Sequence, residues 1–130
     1  MAGTILSQTI QNGVGASTST SNIVRGTAKA WVQYNGFTQT VNASNNVSSV
    51  TYLSGGDYTI NFTTAMPSAN YAVIGSTNGV SGSGGPGIVA PRYATSLTAS
   101  SATVETFWII LPSTPRENNF ALTSVAIFSN

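Results

Sequence analysis

The sequence predicts an all-β fold, namely a single antiparallel β-sandwich that is jelly-roll-like and preceded by an extended N-terminal arm. Three observations support this prediction. Tyr58, Ile60 and Phe62 alternate with polar residues, which is the period of a strand with one buried face. Groups of Gly, Asn, Asp, Ser and Pro separate such runs, as expected of turns. The most hydrophobic runs, near the C-terminus, are apolar on both faces, so we expect a second sheet or another subunit to cover them.

The segment from residue 46 to residue 77 is predicted to be a meander. It contains three strand-like runs: Val47 to Leu53, Tyr58 to Phe62 and Tyr71 to Gly75. Ser54 to Asp57 contains two glycines that accept positive φ, so the first two runs are predicted to form a hairpin. Thr64 to Asn70 is predicted to be the second reversal, because Pro67 has no amide hydrogen to give to a strand ladder.

The first strand is predicted at Thr27 to Tyr34, ahead of that segment. Asn35-Gly36 follows it and is a strong hairpin signal, so Phe37 to Val41 should pair back antiparallel. Trp31 lies on the more polar face of this strand. We expect it to be buried within the domain or at an interface, and the other interpretation is a platform for a ligand.

Three more strands are predicted towards the C-terminus: Ile88 to Tyr93, Ala102 to Leu111 and Phe120 to Phe128. Pro91 indicates an edge or a bulge in the first of them. Asn78 to Gly87 and Pro112 to Asn119 are predicted loops. The glycines of the former lack the Lys and Ser/Thr ending of a phosphate loop. Because the last strand is apolar on both faces, we expect the fold to depend on it.

Residues 1–26 are predicted to form the arm, and residues 27–130 the sandwich domain. The arm is rich in Ser, Thr, Asn, Gln and Gly, which cannot bury enough apolar area to order themselves alone. The arm is therefore either flexible or ordered against neighbouring subunits or a larger particle. Its start lacks a basic region followed by an apolar run, so no signal peptide is expected. No run approaches the roughly 20 apolar residues of a membrane span, so membrane insertion is not expected.

Charge is scarce in this chain. Charged residues make up 5 % of the sequence, against about 25 % in an average domain. Together with an apolar content of 41 %, this favours burial of surface between subunits. The net charge is +1, and the basic residues are scattered, so nucleic-acid binding is not expected.

The residue types for most catalytic sites are missing. The sequence has no histidine and no cysteine, which excludes imidazole bases, histidine ligands and thiolate chemistry. The three acidic residues have other interpretations: Asp57 belongs to a turn, Glu105 pairs with an arginine or faces solvent, and Glu117 adjoins Arg116 in a loop. We therefore expect no enzyme activity, no cofactor and no metal.

Several pieces of the sequence resemble a known domain. They are AWVQYNG (Ala30 to Gly36), NVSSVTYLSGGDYTINFTTAMPSANYAVIGS (Asn46 to Ser76) and the closing SVAIFSN (Ser124 to Asn130). The chain resembles, over roughly residues 28–130, a domain found at the C-terminal ends of tail-fibre proteins of tailed bacteriophages, including phages of cyanobacteria. Four motif pieces of that family occur here in order: Trp-Val-x-aromatic-Asn-Gly, Asn-Val-Ser-Ser, Gly-Asp-Tyr-Thr-Ile-Asn-Phe-Thr-Thr-Ala-Met and Asn-Tyr-Ala-Val.

The resemblance implies a virion protein, a homotrimer, that contacts the bacterial host surface from the distal end of a tail fibre. The arm would then bind other virion proteins, and a host surface glycan is the implied ligand. Members of that family carry the domain behind a long shaft, whereas here it follows a short arm. The alternative is therefore a capsid decoration, or cement, protein that stabilises the phage head, and a depolymerase or lysin is the third hypothesis. Aromatic and basic residues near loops are the candidate receptor contacts: Tyr34, Phe37, Arg92, Tyr93 and Arg116.

Overall fold

A computed structural model describes residues 9–11, 15, 17–78, 87–93, 96–108 and 116–129 of the chain. The arm contains strand β1 (Thr9–Gln11), strand β2 (Ser17–Ser19) and helix α1 (Thr20–Gly26). The domain contains strands β3 (Ala30–Tyr34), β4 (Val41–Asn45), β5 (Val47–Ser54), β6 (Asp57–Phe62), β7 (Ala72–Asn78), β8 (Gly87–Pro91), β9 (Ser101–Trp108), β10 (Arg116–Glu117) and β11 (Leu122–Phe128). The predicted all-β class is therefore confirmed.

The domain is one large antiparallel sheet that curves almost into a barrel. Its strand order is β4-β3-β11-β7-β8-β9-β6-β5, and β10 pairs with β9 at the side. The two end strands, β4 and β5, follow each other in the chain with only Asn46 between them. Among the described residues, the ladder pair that joins β7 to β8 is Thr77 with Gly87. The sheet thus behaves as two halves that fold over each other, which makes it sandwich-like.

The core lies between the half formed by β4, β3, β11 and β7 and the half formed by β8, β9, β6 and β5. Alternate residues of four strands fill it: Ala30, Val32, Tyr34, Tyr58, Ile60, Phe62, Ala102, Val104, Val125 and Ile127. The rings of Tyr34 and Tyr58 meet at 4.9 Å across the two halves. Burying each large apolar side chain contributes about 1.5–3 kcal/mol, so this cluster is the main source of stability. The alternation predicted for Tyr58 to Phe62 is confirmed.

Asn46 forms the corner between the two halves. Its φ of 53° is a left-handed conformation, which asparagine tolerates better than most residues. Its side-chain amide donates to the carbonyl oxygens of Lys29 and Thr64, each at 3.1 Å, and its Oδ1 accepts from the Thr64 amide at 2.7 Å. These bonds hold the bent strand from β4 to β5 against both halves of the sheet.

The predicted meander is wrong beyond its first hairpin. β5 and β6 pair around Ser54 to Asp57 as predicted, and Gly56 there has a φ of 94°. β7, however, pairs with β11 and β8 and not with β6. The turn residues between β6 and β7 therefore carry the chain to the other half of the sheet, and local periodicity does not specify which strand becomes the neighbour.

The hairpin after β3 is antiparallel as predicted, but its second strand begins at Val41 and not at Phe37. Asn35 to Thr40 form the connection, in which the Asn35 side chain accepts from the amides of Phe37 and Thr38 at 2.9 and 3.1 Å. Gly36 is not among the positive-φ glycines. Glycine is needed at this position for packing, since a Cβ there would lie 2.5 Å from the Tyr58 hydroxyl oxygen.

Two other elements differ from the sequence prediction, and the predicted end of a third lies outside the described ranges. β8 lies between β7 and β9 in the sheet order, although Thr77 with Gly87 is its one pair with β7 among the described residues, and Pro91 is its last residue. The predicted loop before the last strand contains β10. The strand predicted to end at Leu111 is described up to Trp108, and its last three residues lie outside the described ranges. β11 lies between β3 and β7, so the last strand is central to its half of the sheet.

The arm contains a short hairpin and a seven-residue helix that the sequence did not predict. β1 pairs with β2, and Ser19 caps α1 by accepting from the Asn22 amide at 3.1 Å. No described residue of the arm is buried. The Lys29 ammonium group donates to the Val24 carbonyl, which connects α1 to the start of β3. Among the described residues, no helical segment has the length and apolarity that crossing a bilayer requires.

Candidate functional site

The five candidate contact residues lie in different environments. Tyr34 is fully buried in the core, so a ligand at the surface cannot reach it. Phe37 is exposed on the connection between β3 and β4. Arg92 and Tyr93 are adjacent, directly after β8, and Arg116 is the first residue of β10. Of the five, the structure brings Arg92 and Tyr93 into contact with each other.

Arg92 lies at the centre of a charged cluster on the outer face of β9 and β6. Asp57 and Glu105 stand directly opposite each other in the two strands, an arrangement that like charges destabilise. The Arg92 guanidinium compensates, with NH2 3.0 Å from Asp57 Oδ2 and Nε 3.5 Å from Glu105 Oε1. Glu117 completes the cluster, since its carboxylate and those of Asp57 and Glu105 each place an oxygen within 4.8 Å of the others. All three acidic residues of the chain therefore meet at one point.

The cluster has the properties of a structural ion network. The Asp57 side chain is fully buried, and its Oδ2 also accepts from the Ser54 hydroxyl at 2.8 Å. Burial raises the pKa of Glu105, the charges of Asp57 and Glu117 raise it further, and Arg92 lowers it. The carboxylates are close enough to share one cation, and the guanidinium is the cation that two of them hold. The interpretation of Asp57 as a turn residue is therefore incomplete, because Asp57 also forms an ion pair with Arg92, the residue that follows β8.

Tyr93 projects from this network. Its ring centroid lies 5.2 Å from the guanidinium carbon of Arg92, within the range of a cation–π contact. Ser96 connects to its backbone, since the Tyr93 amide donates to the Ser96 hydroxyl at 3.0 Å. Tyr93 remains 62 % exposed. Tyr93 therefore exposes its aromatic ring to solvent, while the contacts with Arg92 and Ser96 hold its position.

A second surface feature lies on the outer face of the other half of the sheet, and we call it the Trp31 groove. It is a cleft of about 340 Å³ that runs between Trp31 of β3 and Ile74 of β7 and crosses β11. Its lining residues are Trp31, Val32, Gln33, Ile74, Gly75, Ser76, Ser124, Val125 and Ala126. Trp31 was expected from the sequence to be buried within the domain or at an interface, and its 40 % exposure shows that the domain itself leaves much of the ring uncovered. Its neighbours could not be recognised, because the pairing of β3, β11 and β7 brings them together over about 90 residues of chain.

A wider and more open depression of about 620 Å³ lies between α1 and the C-terminal end of β11. Arg25 of the arm faces Asn70, Tyr71 and Phe128 across it. The Tyr71 hydroxyl is engaged with the carbonyl oxygens of Thr98 and Ser101 at 2.9 and 2.8 Å. Tyr71 is therefore part of the scaffold of this depression.

Comparison of the chain with protein-family models, with curated proteins and with solved structures finds no match.

Proposed function

We propose that this chain is a bacteriophage virion protein, a tail-fibre or fibre-tip domain that contacts the surface of the bacterial host. It acts as a homotrimer, without catalysis, and its arm attaches it to other virion proteins. The observation that carries the proposal is the set of four motif pieces that occur in the order of the tail-fibre family.

Residues of the motif pieces have structural roles in this fold, which supports the resemblance. Gly36 of the first piece packs against the Tyr58 hydroxyl. Asn46, at the start of the second, forms the corner between β4 and β5. Tyr58 of the third lies in the core. A shared scaffold does not by itself imply a shared function, so the role needs a direct test.

The surface supports a contact role. Tyr93 offers an exposed aromatic face on a base that Arg92 anchors to Asp57 and Glu105. Anchored aromatic side chains give large contact area at a low cost in conformational entropy. A chain with so little charge also has few charged groups to desolvate when it binds a partner.

The proposal is tested by locating the protein on phage particles. Gold-labelled antibodies against this chain should decorate the distal end of the tail in electron micrographs. Label over the head would instead assign the protein to capsid decoration. Purified particles that carry no label at either place would overturn the proposal.

Capsid decoration is the second candidate because of the arm. β1, β2 and α1 have no buried residue among those described, so their surfaces are available to other subunits. An arm of this kind suits a protein that runs over a particle surface as well as one that joins a fibre. The location of the label distinguishes the two.

Host contact by Tyr93 is tested with fluorescently labelled protein on host cells. Tyr93→Ala should reduce cell binding, because it removes the exposed ring and leaves the ion network in place. Leu53→Ala is the matched control, since Leu53 is also apolar and 48 % exposed but lies on β5 outside the candidate set. Equal binding of both variants and the parent protein would exclude Tyr93 as a contact.

A further inference from the structure

We propose that the Trp31 groove is a binding site for a neutral pyranose sugar. The inference deepens the proposed function by naming its ligand class, and it rests on that function for the source of the sugar, which is the bacterial surface. The sugar would lie across β11, between Trp31 and Ile74.

The register of three strands gives the groove its shape. Trp31, Ala126 and Ile74 form one row across β3, β11 and β7, because Ala126 pairs with Trp31 on one side and with Ile74 on the other. The small side chain in the middle leaves a depression between two large apolar ones. Trp31 is 40 % and Ile74 is 61 % exposed, so both walls are accessible. The volume of about 340 Å³ falls at the small end of ligand sites.

A polar row runs beside the apolar one. Ser124 pairs with Gln33 on one side and with Ser76 on the other, two residues further along each strand. Two residues span roughly 6.7 Å of strand, and side chains two apart share a face. The groove therefore offers an apolar strip and a parallel strip of hydroxyl and amide groups. A pyranose ring has the complementary pattern, since its C–H face is apolar and its hydroxyls lie around the rim.

The polar row has unused hydrogen-bonding capacity. Within the described ranges, the side chains of Gln33, Ser76 and Ser124 form no hydrogen bond with another residue. An amide and two hydroxyls both donate and accept, which is what sugar hydroxyls require. An apolar protein surface placed over this row would leave those groups buried without partners, which is unfavourable. The row thus favours a hydroxylated ligand over a hydrophobic partner.

The absence of charge defines the class of sugar. Strands β3, β4, β7 and β11 contain no Asp, Glu, Lys or Arg. Carboxylated or phosphorylated sugars are usually held by arginine, lysine or a helix N-terminus. These strands contain neither arginine nor lysine. The indole face of Trp31 suits the C–H face of a neutral hexose.

The two tryptophans of the chain allow a direct test. The Trp108→Phe variant leaves Trp31 as the only indole, so its fluorescence can be followed while glucose, galactose, mannose and N-acetylglucosamine are added separately. At least one sugar should produce a saturable change, with a Kd on the order of millimolar because a single ring makes few contacts. Saturation-transfer NMR on the unmodified protein should show the C–H protons of that sugar in contact with the protein.

Variants connect binding to the groove. Trp31→Ala should weaken binding of that sugar at least tenfold by NMR titration, and Gln33→Ala about fivefold. Leu53→Ala is the control, since it removes an exposed apolar side chain from β5, in the other half of the sheet, and should leave the Kd unchanged. Thermal melts and light scattering of each variant establish that the fold and the oligomeric state are retained.

Three outcomes would overturn the inference. They are no saturable binding of any of the four sugars, unchanged binding by a folded Trp31→Ala protein, and conversion of an oligomer to monomers by Trp31→Ala, which would assign the groove to a second copy of the chain. Failure of the proposed function is distinct from all three, because it is read from the position of the gold label on phage particles. Sugar binding by a protein that is absent from the virion would support the groove and reject the virion role.

Discussion

Gly36 occupies a place where a side chain does not fit. Its amide donates to the Phe120 carbonyl at 2.8 Å, and a Cβ would lie 2.5 Å from the Tyr58 hydroxyl oxygen and 3.0 Å from the Phe120 carbonyl oxygen. Gly36→Ala must therefore displace the backbone or a buried tyrosine, and we expect a loss of about 1–3 kcal/mol in the free energy of unfolding. Gly55→Ala is the control, because nothing lies within 4 Å of its Cβ position. Urea unfolding curves that shift equally for the two variants would contradict the prediction.

Asn46 should be costly to replace because it combines an unusual φ with three side-chain hydrogen bonds. At about 1 kcal/mol for each hydrogen bond, we expect Asn46→Ala to reduce the free energy of unfolding by about 2–4 kcal/mol. Asn46→Gly keeps the backbone freedom and loses only the bonds, so it should fall between Ala and the parent. Asn45→Ala is the neighbouring control, at an exposed position of β4. An Asn46→Ala protein as stable as Asn45→Ala would rule out the corner role.

Glu105 should make stability depend on pH in a defined direction. Its pKa is raised by burial and by the nearby Asp57 and Glu117. A carboxyl whose folded pKa exceeds the unfolded value of about 4.3 binds its proton more tightly in the folded state. Its contribution to stability is therefore complete below the unfolded value and is lost as pH rises through the folded value. Glu105→Gln removes this titration, so the parent should lose stability relative to the variant between about pH 4 and pH 7. Urea unfolding at both pH values measures the difference, and the opposite trend would contradict the assignment.

At the scale of elements, β11 is the strand on which one half of the sheet depends. It pairs along its length with β3 on one side and β7 on the other, and it contributes Val125 and Ile127 to the core. Deletion of residues 121–130 should therefore unfold the domain or abolish its assembly. Deletion of residues 1–19 is the control, because the described residues of that stretch are not buried. A protein without residues 121–130 that stayed soluble with an unchanged Tm would contradict this expectation.

Local sequence made the hairpins predictable, but it did not indicate which distant strands would pair with them. The Ser54 to Asp57 turn and the alternation of β6 could be predicted because both depend on neighbouring residues. The position of β7 in the other half of the sheet could not, since it depends on contacts with β11 about 50 residues later. Helix α1 was missed because its sequence is polar and has no apolar stripe, although Ser19 is an N-cap residue.

The candidate sites divide in the same way. Arg92 and Tyr93 are neighbours in the chain, so their association could be inferred from the sequence. Tyr34 was a poor candidate because the strand alternation that places it in the core also removes it from the surface. The Trp31 groove required the register of three strands, and no local pattern specifies register between distant strands.

At the scale of the whole molecule, the strands of the two halves of the sheet differ in charge. Asp57, Glu105, Arg92 and Glu117 gather on the half that contains β9 and β6, whereas β3, β4, β7 and β11 carry no charged residue. The uncharged half presents the Trp31 groove to solvent, and the charged half presents Tyr93. The two exposed aromatic features therefore lie on surfaces with different electrostatics, and variants at one should not alter ligand binding at the other.

The scarcity of charge predicts how a trimer of this chain would respond to salt and dilution. Charged residues are 5 % of the sequence, so subunit contacts should depend on apolar burial and not on ion pairs, which salt screens within about 10 Å at 0.1 M. Light scattering at micromolar concentration should give about 40 kDa, three times the chain mass of 13.3 kDa, both at low salt and in about 1 M salt. The Tm should also rise with protein concentration, because subunit association stabilises the folded state by mass action. A monomer mass at micromolar concentration would exclude the trimer, and a trimer that dissociated only in high salt would show that ion pairs hold it together.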